Sequence, residues 1–250
     1  MIRSTSRADI AAAIVAAGRR LHERRILASR EGNLSARVGA DRILTTATGT
    51  HKGRLREADL VLVDLAGTPL SDGEPSSELK MHLAIYEERP EVRAVVHAHP
   101  PIATGYAVAG KQPPAALAEV VGLLGCVPVA PYGTPSTTAL ADSVRAPIRD
   151  FDVVLLANHG AVAAGSSLEE AEERMVQLEH FAQIALVAHL LGGPRHFSRE
   201  QIDALSELRE AAGGPPVPAI CYPSTDESGT ITLSRQELVD LIADALRTIR

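Results

Sequence analysis

Two histidines one residue apart, His97-Ala98-His99, close the apolar run Val92–Val96. On an extended strand residues i and i+2 project from one face, so both imidazoles can reach a single ion. Imidazole is the commonest side-chain ligand of transition metals, and zinc takes three or four such donors. A third candidate ligand stands in Asn158-His159-Gly160, directly after a second apolar run, Phe151–Ala157. An acid, Glu78, closes Pro75-Ser76-Ser77-Glu78. Three histidines at strand ends with one carboxylate describe a catalytic metal site better than a structural one, because three protein ligands leave a position open. A zinc ion there is a Lewis acid for two adjacent substrate oxygens. Glu78 becomes the proton-transfer group if a pocket of low dielectric brings its pKa toward neutrality. Two plainer readings stay open: His-x-His also describes hydrogen-bonded strand histidines, and acids are favoured at helix starts for electrostatic reasons.

Three turns carry the chemistry of an anion cradle. Gly32-Asn33, Thr48-Gly49 and Ser76-Ser77 offer hydroxyls, an amide and glycine backbone N–H groups. The serine pair precedes an apolar-periodic stretch that runs to Glu88, so Ser76 or Ser77 is the expected N-cap and leaves free amides for a phosphate. Each pair alone is also ordinary turn composition.

The elements that must position these groups read as follows. Helices are expected over Arg7–Arg25, Ser76–Glu88, Pro100–Ala109, Thr137–Arg149, Leu168–Leu191 and Ser198–Ala211. Strands are expected near Ser35–Arg37, at Arg42–Thr46, Leu60–Asp64, Val92–His99, Val127–Ala130 and Val153–Leu156. Helices and strands interleave, but several strands are joined by short turns, which favours a mixed or antiparallel α/β sheet. The remaining histidines, His22, His51, His82, His180, His189 and His196, fall on helix or loop positions expected to be solvated or capping, with His51 next to a cradle turn.

At 250 residues and 45% hydrophobic the chain can bury a full core. A net charge of −6 argues against nucleic acid as the main partner. No window approaches a membrane span and no secretory signal is visible, so a soluble cytoplasmic protein is expected. Cys126 and Cys221 show no CxxC spacing, which fits a reducing compartment and speaks against a disulfide framework.

The ordered set Gly32-Asn33-Leu34-Ser35, Thr48-Gly49, Pro75-Ser76-Ser77-Glu78, Val95-Val96-His97-Ala98-His99 and Asn158-His159-Gly160 closely resembles the class II aldolase/adducin family, in particular enzymes of the L-fuculose-phosphate aldolase type. The resemblance spans about residues 7–210. It implies a three-layer α/β/α sandwich around a mostly antiparallel sheet, assembled as a homotetramer. It implies one zinc ion per subunit on His97, His99 and His159, with Glu78 as acid/base, possessing a contact to the metal when substrate is absent. Gly32, Asn33, Thr48, Gly49, Ser76 and Ser77 would then hold the substrate phosphate. The implied reaction is reversible cleavage of a ketose 1-phosphate to dihydroxyacetone phosphate and a small aldehyde. A histidine-rich site also accepts cobalt, manganese or nickel.

The chain departs from the pattern at one point. The fuculose-phosphate enzymes use a tyrosine from a neighbouring subunit to protonate the aldehyde oxygen, and the matching stretch here, Pro114–Glu119, has none. Glu119 is a candidate for another role, and Tyr132 reads as a packing residue. Decarboxylation of a 3-oxo-tetronate phosphate or an aromatic acid, as in related members, is therefore the alternative. A Schiff-base mechanism is set aside because Lys52, Lys80 and Lys111 lie in no apolar strand.

Composition changes after Leu191. A catalytic domain over 1–211 is expected, then a Gly/Pro/Ser-rich linker over 212–233. A capping box Ser234-x-x-Glu237 opens an amphipathic helix over 234–250. Such a tail either docks on the protein itself or recruits the enzyme to a bacterial microcompartment shell.

Overall fold

The computed structural model describes residues 6–222. Seven strands form one sheet: β1 (Asn33–Val38), β2 (Arg42–Thr46), β3 (Leu60–Asp64), β4 (Ala94–Ala98), β5 (Val129–Ala130), β6 (Val153–Leu156) and β7 (Gly160–Gly165). Their order is β3-β2-β1-β4-β7-β6-β5. Every pairing is antiparallel except β5 with β6. The helices are α1 (Arg7–Glu23), α2 (Leu79–Glu88), α3 (Pro101–Val108), α4 (Ala118–Leu123), α5 (Thr138–Ile148), α6 (Leu168–Leu190) and α7 (Arg199–Ala211).

Strand alternation divides the core in two. Leu34, Leu44, Leu62, Val96, Leu155 and Ala163 face one layer, where Ile14 and Leu21 of α1, Ala103 of α3 and Met175 and Leu178 of α6 cover them. Ile43, Val61, Val95, Val154 and Val162 face the other, against Met81 and Ile85 of α2, Leu140 and Val144 of α5 and Ile202 of α7. This is the expected three-layer sandwich. Both sheet faces being covered explains why the strands read as continuous apolar runs.

β1 and α2 meet through polar groups instead. Asn33, Ser35 and Arg37 share the face turned to α2, and reach Glu78, His82 and Tyr86 respectively. Two residues of strand advance about 6.7 Å and four of helix about 6 Å, so alternate strand positions stay in step with successive helix turns. Glu78 is the end rung of this ladder.

Several expectations need correction. The N-cap of α2 is Glu78, not Ser76 or Ser77, because the Ser76 N–H is committed to the Thr46 carbonyl and delays the first turn. β7 and α4 were not expected; the former is a run of Gly and Ala with little strand character of its own. His82 is fully buried, and Tyr132 is 59% exposed where packing was expected. Cys126 and Cys221 are joined in a disulfide with Cα atoms 5.4 Å apart, although 95 residues separate them. Spacing along the chain says nothing of distance once α7 and the stretch after it fold back over α4. That stretch is no free linker over residues 212–222: Val217 and Cys221 are buried. The amphipathic segment 234–250 lies outside the described residues. Among the described residues no helix is long and apolar enough to cross a membrane.

Candidate active site

Neighbouring strands deliver the three histidines. His97 lies on β4 opposite Asn33 of β1, His99 follows the end of that strand, and His159 sits in the tight turn between β6 and β7. The turn needs Asn158 at φ +57°, a left-handed conformation that asparagine tolerates. Gly160 is required for a different reason. A Cβ there would stand 2.5 Å from the His99 ring and 2.6 Å from the Ala98 carbonyl, so only glycine lets the turn close on β4. Gly32, at φ +67°, approaches the His97 carbonyl in the same way.

The rings form a near-equilateral triangle with centroids 4.8 to 5.0 Å apart. His97 and His99 approach through their Nε2 atoms at 3.2 Å. Glu78 straddles the group, with one carboxylate oxygen 3.1 Å from His97 Nε2 and the other 3.1 Å from His159 Nε2. Asn33 Nδ2 donates to the first of these oxygens at 2.9 Å and fixes the carboxylate.

The donor set fits a cation. His97 Nδ1 must donate to the Ala161 carbonyl, 2.9 Å away, because a carbonyl only accepts. In the neutral ring Nε2 then carries a lone pair aimed at the site. His99 Nδ1 likewise faces the Glu31 carboxylate at 3.3 Å, which turns its Nε2 lone pair inward. Such lone pairs and a carboxylate oxygen converging within 3.1 to 3.2 Å repel unless a cation lies among them. A carboxylate or carbonyl thus stands behind His97 and His99, the usual arrangement of outer partners, while His159 Nδ1 is buried with no hydrogen-bond partner among the described residues. His97, His99 and His159 could therefore hold a metal ion.

Electrostatics agree at His99 and depart from expectation at Glu78. Burial and the neighbouring imidazoles lower the His99 pKa to about 3, which keeps the ring neutral and able to ligate. Burial raises the Glu78 carboxyl, but the neighbouring His159 and His97 outweigh it and hold its pKa below the ordinary carboxylate range, opposite to the rise toward neutrality expected from the sequence.

The structure brings the three anion-cradle turns to the same end of the sheet. Ala47 pairs with Pro75, Thr48 N–H donates to the Glu74 carbonyl and Ser76 N–H to that of Thr46. Thr48, Gly49 and Ser77 are exposed at the rim, whereas Asn33 and Ser76 are buried. Gly49 adopts φ +67°. Ser76 Oγ accepts from the Glu78 N–H at 3.3 Å, tying the cradle to the acid. His51 is half-buried beside His22, with ring centroids 4.9 Å apart. Glu119 is exposed on α4.

Sequence reasoning missed four participants. Glu31 supports His99, buried Lys52 lies beneath two cradle turns, His82 stands one helical turn from Glu78, and Glu179 braces the helix after His99. Only Glu31 carried a signal, its place next to Gly32.

Residues 12–186 match the family described as class II aldolase and adducin N-terminal domain. The chain is 34% identical over 176 residues to a 3-oxo-tetronate 4-phosphate decarboxylase of Haemophilus influenzae, covering 68% of this chain and 84% of that protein. It is 32% identical over 169 residues to an L-fuculose phosphate aldolase of Methanocaldococcus jannaschii, covering 68% and 91%. A solved L-fuculose 1-phosphate aldolase superposes with a TM-score of 0.76 at 29% identity, over 82% of this chain and 98% of that one. Matched in sequence and in fold, the chain belongs to the class II aldolase and adducin family, whose enzymes are metal-dependent lyases.

Proposed function

We propose that this protein is a zinc-dependent lyase that cleaves a phosphorylated ketose, with L-fuculose 1-phosphate or a similar ketose 1-phosphate as substrate. One observation carries the reading: a buried carboxylate, Glu78, held 3.1 Å from two imidazoles of the candidate metal triad. A zinc ion on His97, His99 and His159 would supply Lewis-acid stabilisation of the negative charge that develops on adjacent substrate oxygens. In the condensation direction the Glu78 carboxylate takes the proton from the carbon beside the carbonyl of dihydroxyacetone phosphate. In cleavage a protonated Glu78 delivers its proton to the same carbon, while the proton of the hydroxyl that becomes the aldehyde leaves to solvent, so the net proton count is unchanged. Asn33 keeps the carboxylate aimed through both directions. Gly32, Asn33, Thr48, Gly49, Ser76 and Ser77 bind the phosphate and set the reacting carbon against Glu78.

A second reading is decarboxylation of a 3-oxo-tetronate 4-phosphate. What favours it is the stretch Pro114–Glu119, which lacks a tyrosine for the aldehyde oxygen. Loss of carbon dioxide needs no such group, and Glu78, once protonated from solvent, would still pass that proton to the carbanion left behind. The test is a coupled assay of the zinc-loaded protein on L-fuculose and L-rhamnulose 1-phosphates, following dihydroxyacetone phosphate. Glu78→Gln should lower turnover by a factor of about 10² to 10⁴ while zinc is retained. Absence of release from zinc-loaded protein, with carbon dioxide evolved from the 3-oxo acid phosphate, would replace the first reading by the second.

A further inference from the structure

Two of the cradle turns share one buried cation. Lys52 is 2% exposed on the 3-10 turn Lys52–Arg54 that follows β2. Its Nζ donates to the Arg30 carbonyl at 3.0 Å and to the Thr50 carbonyl at 2.8 Å. Its backbone N–H donates to the Ser29 carbonyl at 3.0 Å. Thr50 is itself fixed by a 2.7 Å bond from its hydroxyl to the Ala47 carbonyl. One side chain thus ties the 29–33 turn to the 47–50 turn from beneath. An ammonium has three donors, and these carbonyls take two. Among the described residues no carboxylate forms an ion pair with Lys52, and Glu78 acts on it only at a distance.

A buried ammonium without a paired anion is costly; the two carbonyls offset part of the cost, and an anion arriving nearby would offset more. Hydroxyls and glycine amides at the rim of the same turns give such an anion its hydrogen bonds but no charge. We propose that Lys52 is the buried cation of this anion pocket, locking the Gly32-Asn33 and Thr48-Gly49 turns into one cradle and giving it affinity for a phosphate dianion. The assignment rests on the phosphate reading given above and extends it from the rim to the floor of the pocket. Neutral rim groups alone would bind phosphate weakly and without regard to its charge.

The test is calorimetric titration of the zinc-loaded full chain with inorganic phosphate at pH 7.5. Lys52→Met removes both charge and bonds, Lys52→Gln removes the charge but keeps a donor, and Lys52→Arg keeps the charge. Both neutral variants should weaken phosphate at least 30-fold, and the arginine variant should recover to within about fivefold of the unmodified protein. Zinc affinity should stay within threefold throughout, which a collapsed site would not allow. Ser76→Ala tests the pocket independently. If it loses phosphate while both neutral Lys52 variants bind within threefold of normal, Lys52 is not the cation and the pocket stands. If the unmodified protein binds no phosphate, the pocket and the cation fall together. The unmodified protein gives a further measurement should the variants not fold. Glu78 is the charged group that acts on Lys52 from a distance, Arg54 shares its turn, and His51 and His22 pack beside that turn. Burial brings the Lys52 pKa down to about 8, so phosphate affinity should fall about tenfold per pH unit above that value. A flat profile between pH 8 and 9.5 would overturn the assignment.

Discussion

His82 shows what burial does to one titratable side chain beside the site. Its Nδ1 meets Ser35 Oγ at 2.7 Å, and the same hydroxyl meets Tyr86 Oη at 2.9 Å. Burial and the nearby His97 lower its pKa to about 3. In the unfolded chain a histidine takes up a proton near 6.5, so below that pH the unfolded state binds a proton the folded state refuses. Stability conferred by neutral His82 is therefore complete above 6.5 and lost as pH falls toward 3, at about 1.4 kcal/mol per unit. The Glu78 carboxylate is ionised in both folded and unfolded states well above its ordinary value of 4.5, so it adds little to the slope between pH 7 and 5.5 and adds to the loss only below about 4.5. Replacing His82 with Gln should make the stability lost between pH 7 and 5.5, measured by urea unfolding, smaller by about 1 kcal/mol. Equal losses in the two proteins would show that the proton is taken up elsewhere. The residue matters to function through position: it is the middle rung between Ser35 and the helix that presents Glu78.

At the scale of elements, the helix after the metal strand is held by an acid from across the layer. α3 starts at Pro101 behind Pro100, and neither proline offers a side-chain cap. Buried Glu179 of α6 supplies one, accepting from the N–H groups of Ile102 at 3.1 Å and Ala103 at 3.0 Å. Glu179→Ala leaves these donors bare and should cost about 1–3 kcal/mol by thermal or urea unfolding. Because His99 lies just before this helix, zinc affinity measured by chelator competition should drop as well. A destabilised variant with unchanged zinc affinity would limit Glu179 to a structural role. The contrast with what the sequence discloses is instructive. β2, β3 and β6 are visible as apolar runs, α6 and α7 through their serine caps and periodicity, and the metal triad through His-x-His and a turn histidine. β7 is hidden because Gly and Ala pack against β4 and β6 without strand propensity of their own. Lys52, His82 and Glu179 are hidden for a common reason: periodicity assigns charged and polar residues to solvent, and what keeps each of them inside is a partner 22, 47 or 76 residues away.

On the scale of the whole molecule, the family match ends at residue 186, and α7 with the stretch after it lies beyond that limit. This part is strapped to the sandwich by a few specific bonds. Arg209 is buried and donates to the Pro215 carbonyl at 2.8 Å and the Gly122 carbonyl at 3.3 Å. Ser206 Oγ accepts from the Val217 N–H at 2.9 Å, and Tyr222 donates to Asp203 at 2.8 Å. The Cys126–Cys221 disulfide closes the strap onto the turn after α4. Neither cysteine belongs to the candidate metal triad or the cradle turns, which lie at β1, β2, β4, the β6–β7 turn and the α2 entry. Stability and catalysis should therefore separate. A link spanning 95 residues can stabilise by up to about 4.7 kcal/mol through the entropy of the unfolded chain. Cys126→Ser/Cys221→Ser, or reduction of the unmodified protein, should lower the unfolding midpoint and speed proteolysis within residues 212–222. Zinc content and turnover of the folded protein should stay within about twofold. Loss of zinc on reduction would mean that the strap braces the metal site as well, and that the apparent independence of the two regions in the fold is false. An unchanged midpoint with faster cleavage would mean that the strap opens locally, without taking the sandwich with it.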